Sequence, residues 1–209
     1  TLSLAFGAGQ EGRADDLQGA VTQLIESAIT AVRDEQVVIV ILSDRDLQQG
    51  QLMIPAAMAV GAVQQALVDN NLRCDSNIII ETASARDPHH MAVLLGLGAT
   101  AVYPYLAYET VEQLVQQWRL DLELQQALIN YRNGLNKGLL KILSKMGIST
   151  IAGYRGASLF EVVGLDQQVR ELCFANAPAR IGGATFSDLQ QDLQQVYQRA
   201  WLHRKPLPQ

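Results

Sequence analysis

Residues 77–105 read NIIIETASARDPHHMAVLLGLGATAVYPY, and the reading of this stretch decides the fold. Residues 77–80 form a short apolar, β-branched run ended by polar Glu81-Thr82, which predicts a strand. Asp87-Pro88 then supplies an N-cap and a first-turn proline, and Met91, Val93, Leu94 and Leu95 give the following helix an apolar surface. Gly96 and Gly98 stop that helix, and a second strand begins at Ala101. A strand–helix–strand unit this short implies a parallel crossover. Folds of this kind hold their ligands in loops at the carboxyl ends of the strands. Here that loop carries Glu81, Arg86, Asp87, His89 and His90.

The same alternation extends in both directions. Asp15 or Asp16 is expected to cap a helix whose apolar positions Leu17, Val21, Leu24, Ala28 and Val32 recur every three to four residues. Residues 37–42 are an unbroken apolar run, which predicts a strand buried on both faces. A loop with Asp44, Arg45 and Asp46 leads to a helix over about 54–69. Further helices are predicted over 109–119, with Val111, Leu114, Val115 and Trp118 on one face, and over 131–146. A fourth strand is predicted at 148–152, a short helix at 158–163 and a fifth strand at 172–174. Thr185-Phe186-Ser187-Asp188 has the form of a capping box and opens a helix with the stripe Phe186, Leu189, Leu193, Val196 and Ala200. The chain then runs into Arg204-Lys205-Pro206-Leu207-Pro208, an extended tail. Alternating elements of this kind predict an α/β domain on a parallel sheet.

At 209 residues the chain suits one domain, or one domain with an appendage. With 16 basic against 21 acidic residues and no basic run before Arg204-Lys205, no nucleic-acid partner is expected. No apolar run approaches membrane-spanning length, and residues 1–3 do not open a signal peptide. Cys74 and Cys173, far apart in sequence, make neither a disulfide framework nor a cluster site, so a reduced, cytoplasmic protein is expected.

The chemistry-bearing residues favour structural roles. His89 and His90 are adjacent, about 100° apart on a regular helix, and lack a third ligand at a recognised spacing, so no metal site is expected. Asp44 and Arg45 follow the first long strand without a nucleophile or base partner. The aspartate is expected to close the loop and the arginine to pair with a carboxylate such as Glu81. Arg86 and Arg155 are expected in structural or interdomain ion pairs. Arg180-Ile181-Gly182-Gly183 falls short of a phosphate-binding fingerprint and reads as a tight turn. Lys137, Lys141 and Lys145 lie four apart on one helix face beside glycines, an arrangement suited to docking against a neighbouring domain or subunit. No GxSxG, P-loop or dinucleotide motif is present, and no catalytic, cofactor-binding or metal-binding residue is assigned.

ETASARDPHH followed by GATAVYPYLAYET resembles the central region of the large subunit of bacterial NADPH-dependent glutamate synthase. Three more segments agree with it in order: Leu42-Ser43-Asp44-Arg45 with the following 54–62, NYRNGLNKGLLKILSKMGIST at 130–150, and Ala179-Arg180-Ile181-Gly182-Gly183-Ala184. The resemblance implies an incomplete (β/α) barrel, with an open doubly wound parallel sheet as the alternative. It also implies a piece of a longer protein, with a glutamine amidotransferase domain before it and an FMN-binding barrel after it. Residues 1–180 would be the central domain and 181–209 a connector helix and tail leading to the FMN domain. The fragment would hold no cofactor. The whole enzyme would use FMN and an iron–sulfur cluster, with FAD and NADPH on a small subunit, to make two glutamates from glutamine and 2-oxoglutarate. This domain would join the catalytic domains and help form an ammonia tunnel. The rival reading is a stand-alone barrel-like enzyme that binds a phosphorylated metabolite or flavin at its strand-end loops.

Overall fold

The computed structural model describes residues 1–7, 16–117 and 119–201. Its main sheet has four parallel strands in the order β1 (Leu2–Ser3), β3 (Ile39–Ser43), β5 (Asn77–Glu81) and β6 (Ala101–Tyr103). Two crossover helices link the last three, α2 (Ala56–Asp69) and α3 (Pro88–Gly96). The first helix, α1 (Leu17–Arg33), starts at Asp16, whose Oδ1 accepts from the Gly19 N–H at 2.6 Å. Its predicted stripe is buried, with Leu17, Val21 and Ala28 at 0% exposure. The short strands β2 (Ala5–Phe6) and β4 (Leu52–Met53) pair antiparallel beside the sheet. The architecture is α/β on a parallel sheet, and the sheet does not close among the described residues, as an incomplete barrel requires.

Strand parity shows where the core sits. Val40 and Leu42 of β3 and Ile78 and Ile80 of β5 are at most 2% exposed, on the side of the sheet that α1 and α2 cover. Burying each stabilises the fold by about 2 kcal/mol. The alternate residues point the other way, where Ile39 is 52% and Tyr103 43% exposed. The 37–42 run is therefore a one-sided strand, Ile39–Ser43, and not one buried on both faces. Its second face would be the interior of a closed barrel.

Beyond the sheet, α4 (Tyr105–Gln116) and α5 (Leu124–Lys145) pack together, and α5 docks on α3. Both helices start earlier than the sequence predicts, by four and seven residues; Trp118 lies outside the described residues. A second core joins Ala92 and Leu95 of α3 to Leu143 of α5 and to Tyr154 of α6 (Ile151–Tyr154).

The carboxyl third departs most from expectation. Residues 148–152 are not a strand: Thr150 caps α6 by accepting from the Gly153 N–H at 3.1 Å, and this local bond overrides the β-branched composition. No helix forms at 158–163, because Val162–Leu165 is strand β7. Residues 172–174 close α7 (Gln167–Cys173), which Asp166 caps through the Gln168 N–H, so the fifth strand is absent there. The strand lies later, at β8 (Ala179–Ala184), and takes up the predicted 180–183 turn. It pairs parallel with β7 through two register shifts. Gly183 permits that approach, since a Cβ there would sit 2.4 Å from the Gly164 carbonyl oxygen.

α8 (Phe186–Trp201) opens with the expected capping box: the Thr185 N–H donates to Asp188 Oδ2 at 2.9 Å and the Asp188 N–H to Thr185 Oγ1 at 3.3 Å. Phe186, Leu189 and Leu193 pack on the main core, whereas Val196 is 62% exposed. Across the fold, the Leu17 N–H at the start of α1 donates to Gln190 Oε1 of α8 at 2.8 Å. The tail at 204–208 lies outside the described residues.

Candidate functional site

The carboxyl ends of β3 and β5 bring Ser43 and Glu81 side by side, as their register dictates. Ser43 Oγ donates to Glu81 Oε2 at 2.5 Å and accepts from the Arg45 N–H at 3.2 Å. Arg45 reaches over this pair. Its Nη1 lies 3.1 Å from Glu81 Oε1, its Nη2 2.8 Å from Glu109 Oε1 on α4, and its guanidinium carbon 4.9 Å from the Tyr105 ring centre. Desolvation works against the Arg45 charge, but the bonds to Glu81 and Glu109 outweigh it and raise the pKa. One arginine thereby joins β3, β5 and α4.

Asp44 lies beneath, 3% exposed. It accepts from Thr82 Oγ1 and, at 3.0 Å, from the Ala83 N–H, closing the loop after β5 onto the loop after β3. Thr82 Oγ1 is also 2.9 Å from Ser84 Oγ. Burial first, and then the Asp44 carboxylate, push the Tyr105 phenol well above its usual range, so Tyr105 stays protonated and serves as a donor. The cluster holds three carboxylates, Asp44, Glu81 and Glu109, around one arginine. It contains no histidine and no free base beside Ser43, whose proton is directed at Glu81. A phosphate would have to displace two carboxylates from Arg45, so the arrangement disfavours anion capture.

The remaining candidates lie elsewhere. Arg86 offers its carbonyl to the Tyr131 hydroxyl at 2.9 Å. His90 Nδ1 is 3.4 Å from the Arg86 N–H, while its own N–H donates to Asp87 Oδ1 at 2.9 Å; His89 is exposed. No group of side chains among the described residues is arranged to hold a metal. Lys137, Lys141 and Lys145 are all exposed along α5. The neighbouring Gly138 serves packing within the chain, because a Cβ there would lie 2.3 Å from Pro88 Cγ of α3, whereas Gly134 has open space. Arg155 donates to Thr100 Oγ1 at 3.1 Å, near the amino end of β6. Asp44, Arg45 and Glu81 are thus together, and Arg86, His89, the lysines and Arg155 are not part of that cluster.

Sequence reasoning missed Ser43, Thr82, Tyr105 and Glu109. The signal was present for two of them: Tyr105 and Glu109 are four apart and share a helix face once α4 begins at Tyr105.

The model of the family described as "Glutamate synthase central domain" matches residues 1–166. The chain belongs to that family. A protein named glutamate synthase [NADPH] large chain from Bacillus subtilis is 35% identical over 187 residues, covering 90% of this chain and 12% of its own length. A glutamate synthase [NADH] from Saccharomyces cerevisiae is 37% identical, covering 90% of this chain and 9% of its own. Ferredoxin-dependent glutamate synthase 1 from Arabidopsis thaliana is 40% identical, covering 92% and 12%. The chain therefore spans about a tenth of the length of these relatives, whose names carry NADPH, NADH and ferredoxin. No described helix is long and apolar enough to cross a membrane.

Proposed function

We propose that this central domain is a non-catalytic spacer that joins a glutamine amidotransferase domain to an FMN-binding synthase domain and forms part of the wall between them along which ammonia passes. The observation that carries this reading is the uncovered face of the sheet, from Ile39 and Ile41 through Ile79 to Ala101 and Tyr103, topped by the Arg45–Glu81–Glu109 brace. A half-barrel with an apolar interior face of this kind gains stability when another surface covers it. Diffusing ammonia is retained only if such a joint excludes bulk water.

On this reading the whole enzyme converts glutamine and 2-oxoglutarate to two glutamates. It uses FMN and an iron–sulfur cluster in its own chain and NADPH and FAD on a small subunit, in the cytoplasm. Residues 181–209 lead toward the FMN domain, and the Lys137–Lys141–Lys145 row contacts a neighbouring domain or subunit.

Two measurements test the proposal. The 209-residue chain, incubated with excess FMN and desalted, is expected to retain no flavin and to show neither glutaminase nor synthase turnover. Stoichiometric flavin or turnover above a buffer blank overturns the spacer role. In the full-length enzyme, Ile39→Asp is expected to release free ammonia and lower glutamate formed per glutamine consumed, whereas unchanged coupling removes this face from the joint.

A further inference from the structure

A second concavity lies at the other end of the sheet from Arg45. α2 and α3 deliver the chain to the amino ends of β5 and β6, and their carboxyl halves wall a pocket of about 260 Å³ together with the turn after α6 and the segment after α7. Two glycines shape it. A Cβ on Gly61 would lie 2.0 Å from the Cys173 carbonyl oxygen, and one on Gly96 would lie 2.3 Å from the Phe160 ring. Phe160, Phe174, Leu97 and Val68 supply apolar walls, and Arg155, Gln64 and Asn176 supply polar groups. Among the described residues, no acidic side chain lines it.

Arg155 is the unusual member. One of its nitrogens is used by Thr100 Oγ1 at 3.1 Å, and among the described residues no carboxylate stands within ion-pair distance of it. Arg73 lies behind the wall with each guanidinium nitrogen making one bond, donating to Gln64 Oε1 at 2.5 Å and to the Ser76 and Gly98 carbonyls at 2.6 and 3.0 Å. Burial, and then the charge of Arg155, lower the Arg73 pKa, so the two cations sense each other. A guanidinium fork at the wall of a partly apolar pocket matches a carboxylate, which two parallel N–H donors can hold. A phosphate dianion would call for more donors than one fork supplies.

We propose that this pocket binds a small organic carboxylate, its head on Arg155 and its apolar body against Phe160 and Phe174. The site is independent of the interdomain face, so either reading can fail without the other. The probe is benzoate, titrated into the 209-residue chain by two-dimensional NMR, with benzyl alcohol as the neutral counterpart. Benzoate is expected to shift the Gly96, Gly156 and Ala175 amides saturably, and to bind roughly tenfold more weakly in Arg155→Met, which removes the fork.

Ser158→Asp supplies a second variant that leaves Arg155 in place. Ser158 is exposed with φ +52°, a conformation aspartate accepts, so this variant is expected to fold and to set a repelling carboxylate on the pocket wall. It too is expected to weaken benzoate roughly tenfold. Non-saturable shifts, equal binding in wild type and Ser158→Asp, or benzyl alcohol binding as tightly as benzoate each overturn the proposal.

Discussion

Gly61→Ala and Gly134→Ala make the same chemical change in two helices and are expected to move stability in opposite directions. In a helix interior alanine is favoured over glycine by about 1 kcal/mol. Nothing lies within 4 Å of a methyl group built at Gly134, so that variant should gain about the full amount. At Gly61 the new Cβ falls 2.0 Å from the Cys173 carbonyl oxygen, and ordinary contact starts at 3.4 Å, so the end of α7 must retreat by 3.4 − 2.0 = 1.4 Å. The obstacle is backbone and cannot rotate aside. Overpacking of this kind costs about 3 kcal/mol. The retreat also loosens Val169 and Cys173, both at 0% exposure, for about 1 kcal/mol more. Subtracting the helix gain leaves Gly61→Ala destabilised by about 3 kcal/mol, and the two variants separated by about 4 kcal/mol. For a domain of this size that is a gap of roughly 8–16 °C in Tm. Urea unfolding followed by circular dichroism measures it directly. If Gly61→Ala matched or exceeded wild type while Gly134→Ala gained as expected, the close seating of α7 on α2 would be wrong.

The Tyr154 hydroxyl is buried without a hydrogen-bond partner among the described residues, so Tyr154→Phe is expected to raise stability by about 1 kcal/mol in urea melts; a loss of that size would reveal a partner. Burial pushes the Cys173 thiol up to about 12, whereas Cys74 is exposed. A thiol reagent at pH 8 should therefore modify one cysteine in the native chain and two in denaturant, and rapid native modification of both would contradict the burial of α7. The His90 N–H at the α3 cap holds the Asp87 carboxyl below its ordinary value. Its stabilisation is present above the unfolded carboxylate range near pH 4 and is lost as pH falls through the lower folded value. Asp87→Asn keeps a capping oxygen and should show a smaller fall in urea midpoint between pH 5 and about 2; an identical fall would exclude this cap as a source of acid sensitivity.

The first half of the fold was legible because its signals are local. Asp16 and Asp87 cap where side-chain chemistry dictates, and the 3.6-residue stripe of α1 matches its buried face. Burial on both faces of residues 37–42 was misjudged because composition reports only that a run is apolar, and not how many neighbours arrive to cover it. The carboxyl third failed for a related reason. Whether 162–165 and 179–184 become strands depends on each other, through a parallel pairing across α7 that leaves Val163 64% and Ile181 61% exposed and hence no alternation to read. At the strand-end cluster the Arg45–Glu81 pairing followed from charge alone. Glu109 required knowing where α4 begins, and the Pro104 cap carries no side-chain hydrogen bond to announce it.

The bond from the Leu17 amide to Gln190 spans 173 residues of sequence. On a ribosome adding about 5–20 residues per second, α1 waits roughly 9–35 s for that acceptor to be synthesised, and longer for it to clear the exit tunnel. During that interval the parallel sheet can assemble from consecutive crossovers, but the groove that α8 later fills remains open to water. Synthesis of the domain thus has a late checkpoint, at which Phe186 and Leu189 complete a core begun more than a hundred residues earlier. A stall or truncation before α8 would leave a nearly finished sheet with exposed apolar surface, the kind of species that chaperones retain.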